Sequence, residues 1–223
     1  MTLYLVATPI GNLKDITLRA LEILKSTPVL LVESYEDSRP LLAAYDIHPQ
    51  RIIKYNDRNS RKMVPEILNI LKEKNVVLIT SAGMPGVSDP AADLVSACYA
   101  AGIEIIPIPG SSALTTAIAA SGFRGDFLFI GFLPKKRGQI EKILREAKEN
   151  GHVLVFFEST YRLQKTLTLI NEAYPTARLF LGKEMTKKFE RYVRGSSEAM
   201  MRHLESDKKF SKGEFTIAIS FDQ

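Results

Sequence analysis

The sequence predicts an α/β protein made of two α/β domains, at residues 1–115 and 116–223. Strand and helix patterns alternate along almost the whole chain, which is typical of α/β architecture. Short apolar runs rich in β-branched residues end in loops that contain glycine and proline. A chain of 223 residues, 45% apolar and 25% charged, can bury one large core or two modest ones. No proline-rich or serine-rich linker separates the halves, so we expect them to pack closely.

The first half contains five strand patterns, each followed by a helix pattern. Apolar runs predict strands at residues 3–7, 28–32, 52–55, 76–79 and 103–108. Apolar residues at helical spacing predict helices at 15–24, from 38 onward, at 64–71, at 91–101 and from 111 onward. Ser38 and Pro40 are typical of a helix start, and Asp89 is expected to cap the helix at 91–101.

The second half repeats the alternation. Strands are predicted at residues 127–132, 153–157, 178–181 and 215–221. Helices are predicted at 139–147, 161–174 and 196–204. A turn is expected at Lys212 and Gly213, before the terminal strand.

Composition excludes several classes of protein and site. The only cysteine, Cys98, lies in a helical apolar pattern and is expected in a core, so disulfides within the chain and cysteine metal sites are excluded. His48, His152 and His203 lack the spacing of metal ligands. No apolar run reaches membrane-spanning length and the N-terminus does not resemble a signal peptide, so we expect a cytoplasmic protein. The net charge of +5 permits an anionic partner such as nucleic acid.

Three loops with glycine and proline follow predicted strands, at residues 8–12, 81–90 and 107–112. Ligands of open α/β sheets bind outside the carboxyl ends of strands, and small residues there let the main chain approach the ligand. The loops therefore either build one ligand pocket or simply turn the chain. Neither the G-x-G-x-x-G motif nor a phosphate-binding loop is present, which argues against nicotinamide and ATP.

Several segments resemble one family in the same order along the chain. They are residues 3–13, 15–17, 19–21, 82–85, 88–90, 107–113, 131–134, 157–159, 162 and 184–187. Together they resemble the bacterial small-subunit ribosomal RNA methyltransferase I family, a branch of the tetrapyrrole methylase superfamily of S-adenosylmethionine enzymes.

The resemblance implies a function and an assembly. Members form 2′-O-methylcytidine in 16S rRNA of the 30S subunit, and bind S-adenosylmethionine in a cleft between two α/β domains. They are homodimers and need neither a metal nor a membrane. Members also carry a small helical domain after the catalytic part, which would begin where this sequence stops, at Gln223.

Two motifs depart from the family pattern. The motif Asp-Ala-Gly-Thr-Pro is replaced by Ser81-Ala82-Gly83-Met84-Pro85. The motif Glu-Asp-Thr-Arg falls on residues 33–36 without a gap and on residues 36–39 with one. These departures leave open a methyltransferase for another acceptor, or a cofactor-binding or RNA-binding protein without catalysis.

The resemblance also implies site residues. Those expected to bind the cofactor are Pro9, Ser81, Ala82, Gly83, Met84, Val87, Ser88, Pro109, Gly110, Ser112, Ala113, Leu133, Phe157 and Met185. Those expected to bind the substrate are Asn12, Glu33, Arg39 and Arg162. Phe157 is more typical of a core than Leu133, whose neighbours Gly131 and Pro134 indicate a loop.

Methyl transfer to a ribose hydroxyl needs a base or a cation beside the developing oxyanion. Glu158, Glu184 and Lys187 follow predicted strands and are the candidates, although solvated charges are equally common there. Basic clusters lie at residues 135–137 and at Lys187, Lys188, Arg191 and Arg194, with Lys208, Lys209 and Lys212 near a later loop. Such clusters either contact RNA phosphates or form a solvated face.

Overall fold

The structure is a computed structural model that describes residues 1–207, 210 and 212–221. It divides into two compact units, one of residues 1–112 and one that begins at Ala113. Each unit contains one five-stranded sheet.

The sheet of the first unit is entirely parallel. Its strands are β1 (Thr2–Val6), β2 (Val29–Val32), β3 (Arg51–Lys54), β4 (Val76–Ile79) and β5 (Glu104–Ile108), in the order β3-β2-β4-β1-β5. Its helices are a 3-10 turn (Leu13–Asp15), α1 (Leu18–Ser26), α2 (Tyr35–Ala44), α3 (Ser60–Ile70) and α4 (Ala92–Ala100).

Helices cover both faces of this sheet, which explains why its central strands read as continuous apolar runs. Ile67 of α3 and Leu94 of α4 pack with Leu78 on one face. Leu24 of α1 packs with Val77 on the other face. Cys98 is fully buried in the first of these clusters, as predicted.

The sheet of the second unit is mixed. Its strands are β6 (Phe127–Phe132), β7 (Val153–Ser159), β8 (Arg178–Lys183), β9 (Arg191–Ser196) and β10 (Glu214–Ser220), in the order β6-β7-β10-β8-β9. Strands β6 and β7 are parallel, and β10 runs antiparallel to both β7 and β8. The helices are α5 (Ala113–Ser121), α6 (Arg137–Glu149), α7 (Thr160–Ala173) and α8 (Ser197–Ser206).

One apolar cluster forms the core of the second unit. Leu144 of α6, Leu167 of α7 and Met200 of α8 pack against Leu154 and Ile217 of the sheet. These helices therefore share one face of the sheet, and α5 contacts β7, β8 and β10 as well.

One predicted helix start was wrong, and one strand was not predicted. Helix α2 begins at Tyr35 and not at Ser38, because the hydroxyl of Ser34 accepts a hydrogen bond from the main chain of Asp37 and caps it. Strand β9 was not predicted, since it is an edge strand in which only Val193 packs against the core. Lys208 and Lys209 lie outside the described residues.

Candidate active site

The three loops of the first unit that contain glycine and proline lie side by side. Residues 8–12 follow β1, residues 81–90 follow β4, and residues 109–112 follow β5. These strands are parallel neighbours in the sheet. Because the carboxyl ends of parallel strands meet at one edge, the loops form a continuous rim there.

Main-chain hydrogen bonds join these loops. The N–H of Thr8 donates to the carbonyl of Gly83 at 2.9 Å, and the N–H of Gly83 donates to the carbonyl of Thr8 at 3.0 Å. The buried hydroxyl of Thr8 donates to the carbonyl of Thr80 at 3.2 Å. The N–H of Ala7 donates to the carbonyl of Ile108 at 3.1 Å. The geometry of the rim is thus fixed by the backbone.

Two glycines keep this rim open. Gly83 has a φ of +80°, and a Cβ there would lie 3.7 Å from Cγ2 of Ile10. A Cβ on Gly110 would lie only 3.1 Å from Cβ of Ala7. A side chain at position 110 would press on Ala7, and one at position 83 would extend toward Ile10 and the carbonyl of Ser111. We call the space between the three loops the cradle. The cradle fits a ligand recognised through main-chain groups, as S-adenosylmethionine can be through its adenine, hydroxyl and amino-acid groups.

The residues of this rim that were predicted to bind the cofactor differ in exposure. Those that are exposed are Ser81, Ala82, Val87, Ser88, Pro109 and Gly110. Those that are half-buried are Met84, Ser112 and Ala113, the last being the first residue of α5. Pro9 and Gly83 are buried, so a ligand would meet them only through the main chain.

Carboxylates surround Ser81. Oε2 of Glu33 accepts hydrogen bonds from the N–H of Ser81 at 3.2 Å and from its hydroxyl at 2.9 Å. Oδ2 of Asp37 lies 3.3 Å from the same hydroxyl. An aspartate at position 81, as in the family motif, would bring a third carboxylate into like-charge repulsion. The serine is therefore compatible with the acidic surroundings in this chain.

Asp89 lies half-buried in the loop after β4. Burial raises its pKa to about 7, and the negative charges of Glu33 and Asp57 contribute to the rise. The prediction that Asp89 caps the following helix was wrong. Helix α4 begins at Ala92 with Ala91 at its N-cap and no side-chain cap, because Pro90 and Ala91 separate Asp89 from the helix.

The two other predicted substrate residues of the first unit have structural surroundings of their own. The side chain of Asn12 accepts a hydrogen bond of 3.1 Å from the N–H of Lys14 and caps the 3-10 turn. Arg39 is exposed on helix α2. Contact of either residue with a substrate stays a prediction.

Glu158, a predicted catalytic residue, is fully buried and bound on several sides. Its Oε2 accepts from the hydroxyl of Thr166 at 2.7 Å, and its Oε1 accepts from the N–H of Ser159 at 2.8 Å. Nε of Arg162 lies 3.6 Å from Oε1. These surroundings favour a positioning role for Glu158 over that of a base that meets substrate.

Arg162, a predicted substrate residue, is likewise engaged within the unit. Its guanidinium donates to the carbonyls of Leu133 at 2.9 Å and Pro134 at 2.8 Å. The pair of Glu158 and Arg162 therefore fixes the loop after β6.

The residues predicted to frame the cofactor in the second unit also lie differently from expectation. Leu133 is 2% exposed and belongs to the core, whereas Phe157 is half-buried. The ranking that made Phe157 the more core-like residue was wrong, because Leu133 packs in the apolar cluster of the second unit. Phe157 meets Phe129 and Phe132 edge-on, with centroid distances of 5.1 and 5.6 Å. Their contact with the cofactor stays a prediction.

Residues 184–187 form a tight loop after β8. Glu184 has a φ of +47° and Thr186 a φ of +66°. Met185 is buried, and a Cβ on Gly182 would lie 2.7 Å from its sulfur. Two left-handed residues that are not glycine indicate a loop that its surroundings hold in shape.

Glu184 and Lys187 form an ion cluster with Glu214. Nζ of Lys187 lies 3.1 Å from Oε1 of Glu184 and 2.8 Å from Oε2 of Glu214. Burial opposes ionisation of Glu184, but the N–H of Glu214 and the charge of Lys187 outweigh it and lower the pKa. Burial also opposes the charge of Lys187, but its hydrogen bonds to both carboxylates outweigh it and raise the pKa. Both groups are therefore charged at neutral pH.

Sequence reasoning missed three residues that shape these networks. Thr166 binds Glu158, and Gly213 and Glu214 contact Glu184. The glycine before the terminal strand was a detectable signal, which was assigned only to a turn. No sequence motif marks Thr166 as a partner of Glu158, because the two residues lie in different elements, β7 and α7, eight residues apart.

No group of three or more histidine, cysteine, aspartate and glutamate side chains in residues 1–207, 210 and 212–221 could hold a metal ion. No helix within those residues is long and apolar enough to cross a membrane.

The chain is similar to several proteins named Ribosomal RNA small subunit methyltransferase I. The chain is 43% identical to Ribosomal RNA small subunit methyltransferase I of Thermotoga maritima, over 98% of this chain and 97% of the relative. It is 39% identical to the protein of that name from Borrelia garinii subsp. bavariensis, over 98% of each chain. The protein of that name from Neisseria meningitidis serogroup B is 36% identical, and 75% of it is covered. Relatives of this name thus differ in length beyond the matched part.

Two solved structures share the fold. The methyltransferase CobJ superposes with a TM-score of 0.70 at 20% identity, over 99% of this chain and 93% of that one. Cobalt precorrin-4 methyltransferase, CbiF, superposes with a TM-score of 0.70 at 20% identity, over 97% and 94%. The profile of Tetrapyrrole (Corrin/Porphyrin) Methylases matches residues 2–200. The chain therefore belongs to the tetrapyrrole methylase family and is an S-adenosylmethionine-dependent methyltransferase.

Proposed function

We propose that this methyltransferase transfers a methyl group from S-adenosylmethionine to a ribose 2′-hydroxyl of 16S ribosomal RNA. The observation that carries the proposal is the glycine-lined cradle beside β1, β4 and β5, in a chain 43% identical to a small-subunit ribosomal RNA methyltransferase. This substrate places the activity in the cytoplasm.

The cradle supplies binding and orientation. S-adenosylmethionine, when bound, supplies an electrophilic methyl group on a sulfonium. Ala82 and Gly110 are exposed residues of the rim that a ligand can approach, while the pairing of Thr8 with Gly83 joins two of the loops. A rigid site raises the rate of methyl transfer by holding the donor and acceptor atoms in line, even where its residues take no part in a bond change.

Asp89 is half-buried in the loop after β4, which forms part of the rim, and is the carboxyl that we assign to accept the ribose proton. A base works best when its pKa lies near the operating pH, and burial brings the pKa of Asp89 to about 7. Glu184 is a weaker base because its pKa is lowered. Glu158 is buried and already bound by Thr166 and Ser159. We therefore assign Glu158 and Arg162 to positioning, and Lys187 to holding Glu184.

The proposed partner is the 30S subunit or its RNA. Exposed basic residues of the second unit support this assignment, namely Lys135, Lys136, Lys188, Arg191 and Arg194. Phosphate contacts by such residues make binding fall steeply with salt. Arg137 of the first cluster is paired with Glu141 at 2.7 Å and Glu172 at 3.0 Å, and the guanidinium of Arg194 lies 4.8 Å from the ring centroid of Phe123.

We also propose a homodimer. Strand β6 ends the second sheet, and its Phe127 and Phe132 are 39% and 59% exposed. An apolar edge strand is a surface that proteins normally cover. A second copy of this chain is the occupant we expect. Light scattering tests this, since Phe132→Glu should shift a dimer to a monomer and a monomeric wild type would contradict it.

The experiment that tests the function is methyl transfer from labelled S-adenosylmethionine to 30S subunits of cells that lack the protein. We expect label in 16S rRNA, and alkaline hydrolysis should leave it in a dinucleotide because a 2′-O-methyl blocks cleavage. Label in a base, or in a small molecule of the extract, would point to another acceptor. For the role of Asp89, Asp89→Asn should abolish the rise of kcat/KM around pH 7, and an unchanged pH profile would contradict that role.

A further inference from the structure

The outer edge of strand β9 is an exposed surface of basic and aromatic residues. We call it the β9 surface and define it as Lys188, Phe189, Arg191, Tyr192 and Arg194. All five residues are exposed, Phe189 by 70% and Tyr192 by 45%. Strand β9 ends the sheet order, so its outer side pairs with no other strand of the described unit.

The charge of the β9 surface is positive. Residues 187–194 contain four basic side chains and one acidic side chain, Glu190. The carboxylate of Glu190 is already engaged, since Oε2 accepts from the N–H of Thr186 at 2.8 Å and from the hydroxyl of Tyr192 at 2.7 Å. Basic side chains on an edge strand discourage pairing with a strand of another protein. The same charges attract a polyanion.

The aromatic ring of Tyr192 in the β9 surface is held in place. The ring of Tyr192 stacks on Phe180 at a centroid distance of 6.3 Å and an angle of 23°, while its hydroxyl is tied to Glu190. Nζ of Lys188 lies 5.6 Å from the centroid of Phe189. A ring that is fixed before binding loses little conformational freedom when a ligand stacks on it.

We propose that the β9 surface binds an unpaired segment of RNA by stacking bases on Phe189 and Tyr192. This inference rests on the proposed ribosomal RNA substrate and names the part of the chain that recognises it. Phe189 and Tyr192 are three residues apart, so their Cα atoms lie within roughly 11 Å of each other. One short segment of RNA can therefore reach both rings. Lys188 lies beside the ring of Phe189, with Nζ 5.6 Å from its centroid, and can meet a phosphate of this segment. Arg191 begins β9 on the opposite face from Tyr192 and can reach a phosphate only around the open strand edge.

The chemistry favours unpaired RNA over a duplex and over a protein. Bases of a duplex are already stacked on their neighbours, whereas bases of loops can be splayed out onto aromatic side chains. Stacking tolerates any base because every base has a π-face, and a basic groove beside the rings follows the backbone. A protein partner on this edge would have to overcome the basic side chains.

The test compares fluorescein-labelled single-stranded RNA of twelve nucleotides with a duplex of the same length. Phe189→Ala should weaken binding of the single strand roughly five- to 150-fold, since stacking on one ring contributes about 1–3 kcal/mol per base. Phe189→Tyr keeps a ring and should bind like the wild type. Tyr192→Ala and Tyr192→Phe form the second matched pair. Binding of the duplex should change little in all four variants.

Salt dependence separates stacking from charge. Phe189→Ala should leave the slope of log K against log salt unchanged. Arg191→Gln should reduce that slope by about 0.7, the value for one phosphate contact on a single strand. Circular dichroism checks that each variant is folded. We expect folded variants because Phe189, Arg191 and Tyr192 are exposed.

Three results would overturn the inference. The first is that Phe189→Ala binds the single strand with wild-type affinity. The second is that Phe189→Ala weakens binding of the single strand and of the duplex equally. The third is that Phe189→Ala dissociates a dimer, which would make this edge a protein interface. The proposed function is judged separately by methyl transfer of the wild type to 30S subunits. If the wild type methylates 30S subunits but Phe189→Ala binds the single strand as the wild type does, only the role of the β9 surface is contradicted. If the wild type binds RNA through this surface but transfers no methyl group, only the proposed function is contradicted.

Discussion

The hydroxyl of Thr166 donates a hydrogen bond of 2.7 Å to the carboxylate of Glu158, inside the second unit. Glu158 is 2% exposed and in turn lies beside Arg162, whose guanidinium holds two carbonyls of the loop after β6. One helix turn of α7 therefore fixes a loop that sequence reasoning connected with the cofactor.

Thr166→Val tests this network. Valine has the shape of threonine but no hydroxyl, so a buried carboxylate loses a partner, which costs about 1–3 kcal/mol in the free energy of unfolding. Urea denaturation measures the loss. Thr168→Val is the matched control, because Thr168 is exposed on the same helix and should change stability by less than about 0.5 kcal/mol. Equal effects of the two variants would contradict the role of Thr166.

Gly213 is required by its contact with Glu184. A Cβ at position 213 would lie 2.6 Å from Cγ of Glu184, and the φ of +128° is one that side chains rarely adopt. Gly213→Ala should therefore cost about 1–3 kcal/mol.

The control for Gly213 is Gly151→Ala. Gly151 also has a positive φ, +67°, but a Cβ there meets nothing within 4 Å. Gly213→Ala should be the less stable variant in urea denaturation. A Gly213→Ala protein as stable as Gly151→Ala would show that Glu184 moves aside without cost.

Asp89 should make stability depend on pH. Its pKa is about 7 in the folded chain against an ordinary value near 3.8, so the folded state holds a proton that the unfolded state has lost. The contribution of Asp89 to stability is therefore complete below about pH 4 and is lost as pH rises through 7. Asp89→Asn should match the wild type at pH 4 and exceed it at pH 8. The difference between their urea midpoints measures this, and a difference that does not grow with pH would contradict the raised pKa.

The glycine cradle should be sensitive to a side chain at position 83. Gly83→Val would place a branched side chain between Ile10 and the carbonyl of Ser111, and should weaken S-adenosylmethionine binding at least tenfold in isothermal titration. Gly102→Val is the control, since Gly102 has a φ of +66° in the same unit but open space around it. Both variants suffer backbone strain, so only a loss confined to Gly83→Val supports the cradle.

The sequence predicts the first unit well because its strands are buried on both faces. Val76–Ile79 is one apolar run, and the structure confirms it as β4 with the same bounds. The carboxyl ends of neighbouring parallel strands then had to meet, which placed the three loops together. In a sheet covered on both faces, a continuous apolar run in the sequence corresponds to a strand that is buried in the fold.

Elements and contacts that depend on tertiary context were harder to predict. Strand β9, Arg191–Ser196, lies on an open edge and lacks a regular alternation of apolar and polar residues, so its basic residues look like a solvated loop. Leu133 was taken for a loop residue because its neighbours are glycine and proline, whereas its burial depends on core residues far along the chain. The raised pKa of Asp89 depends on burial and on Glu33, neither of which a sequence pattern shows.

The most direct test of the proposed function is a map of 2′-O-methyl groups in 16S ribosomal RNA from wild-type cells and from cells that lack this protein. We predict that one ribose methyl is missing in the deletion strain and returns when the wild-type chain is supplied, but not when the Gly83→Val chain is supplied. Identical maps from the two strains would contradict the assignment of 16S rRNA as the substrate.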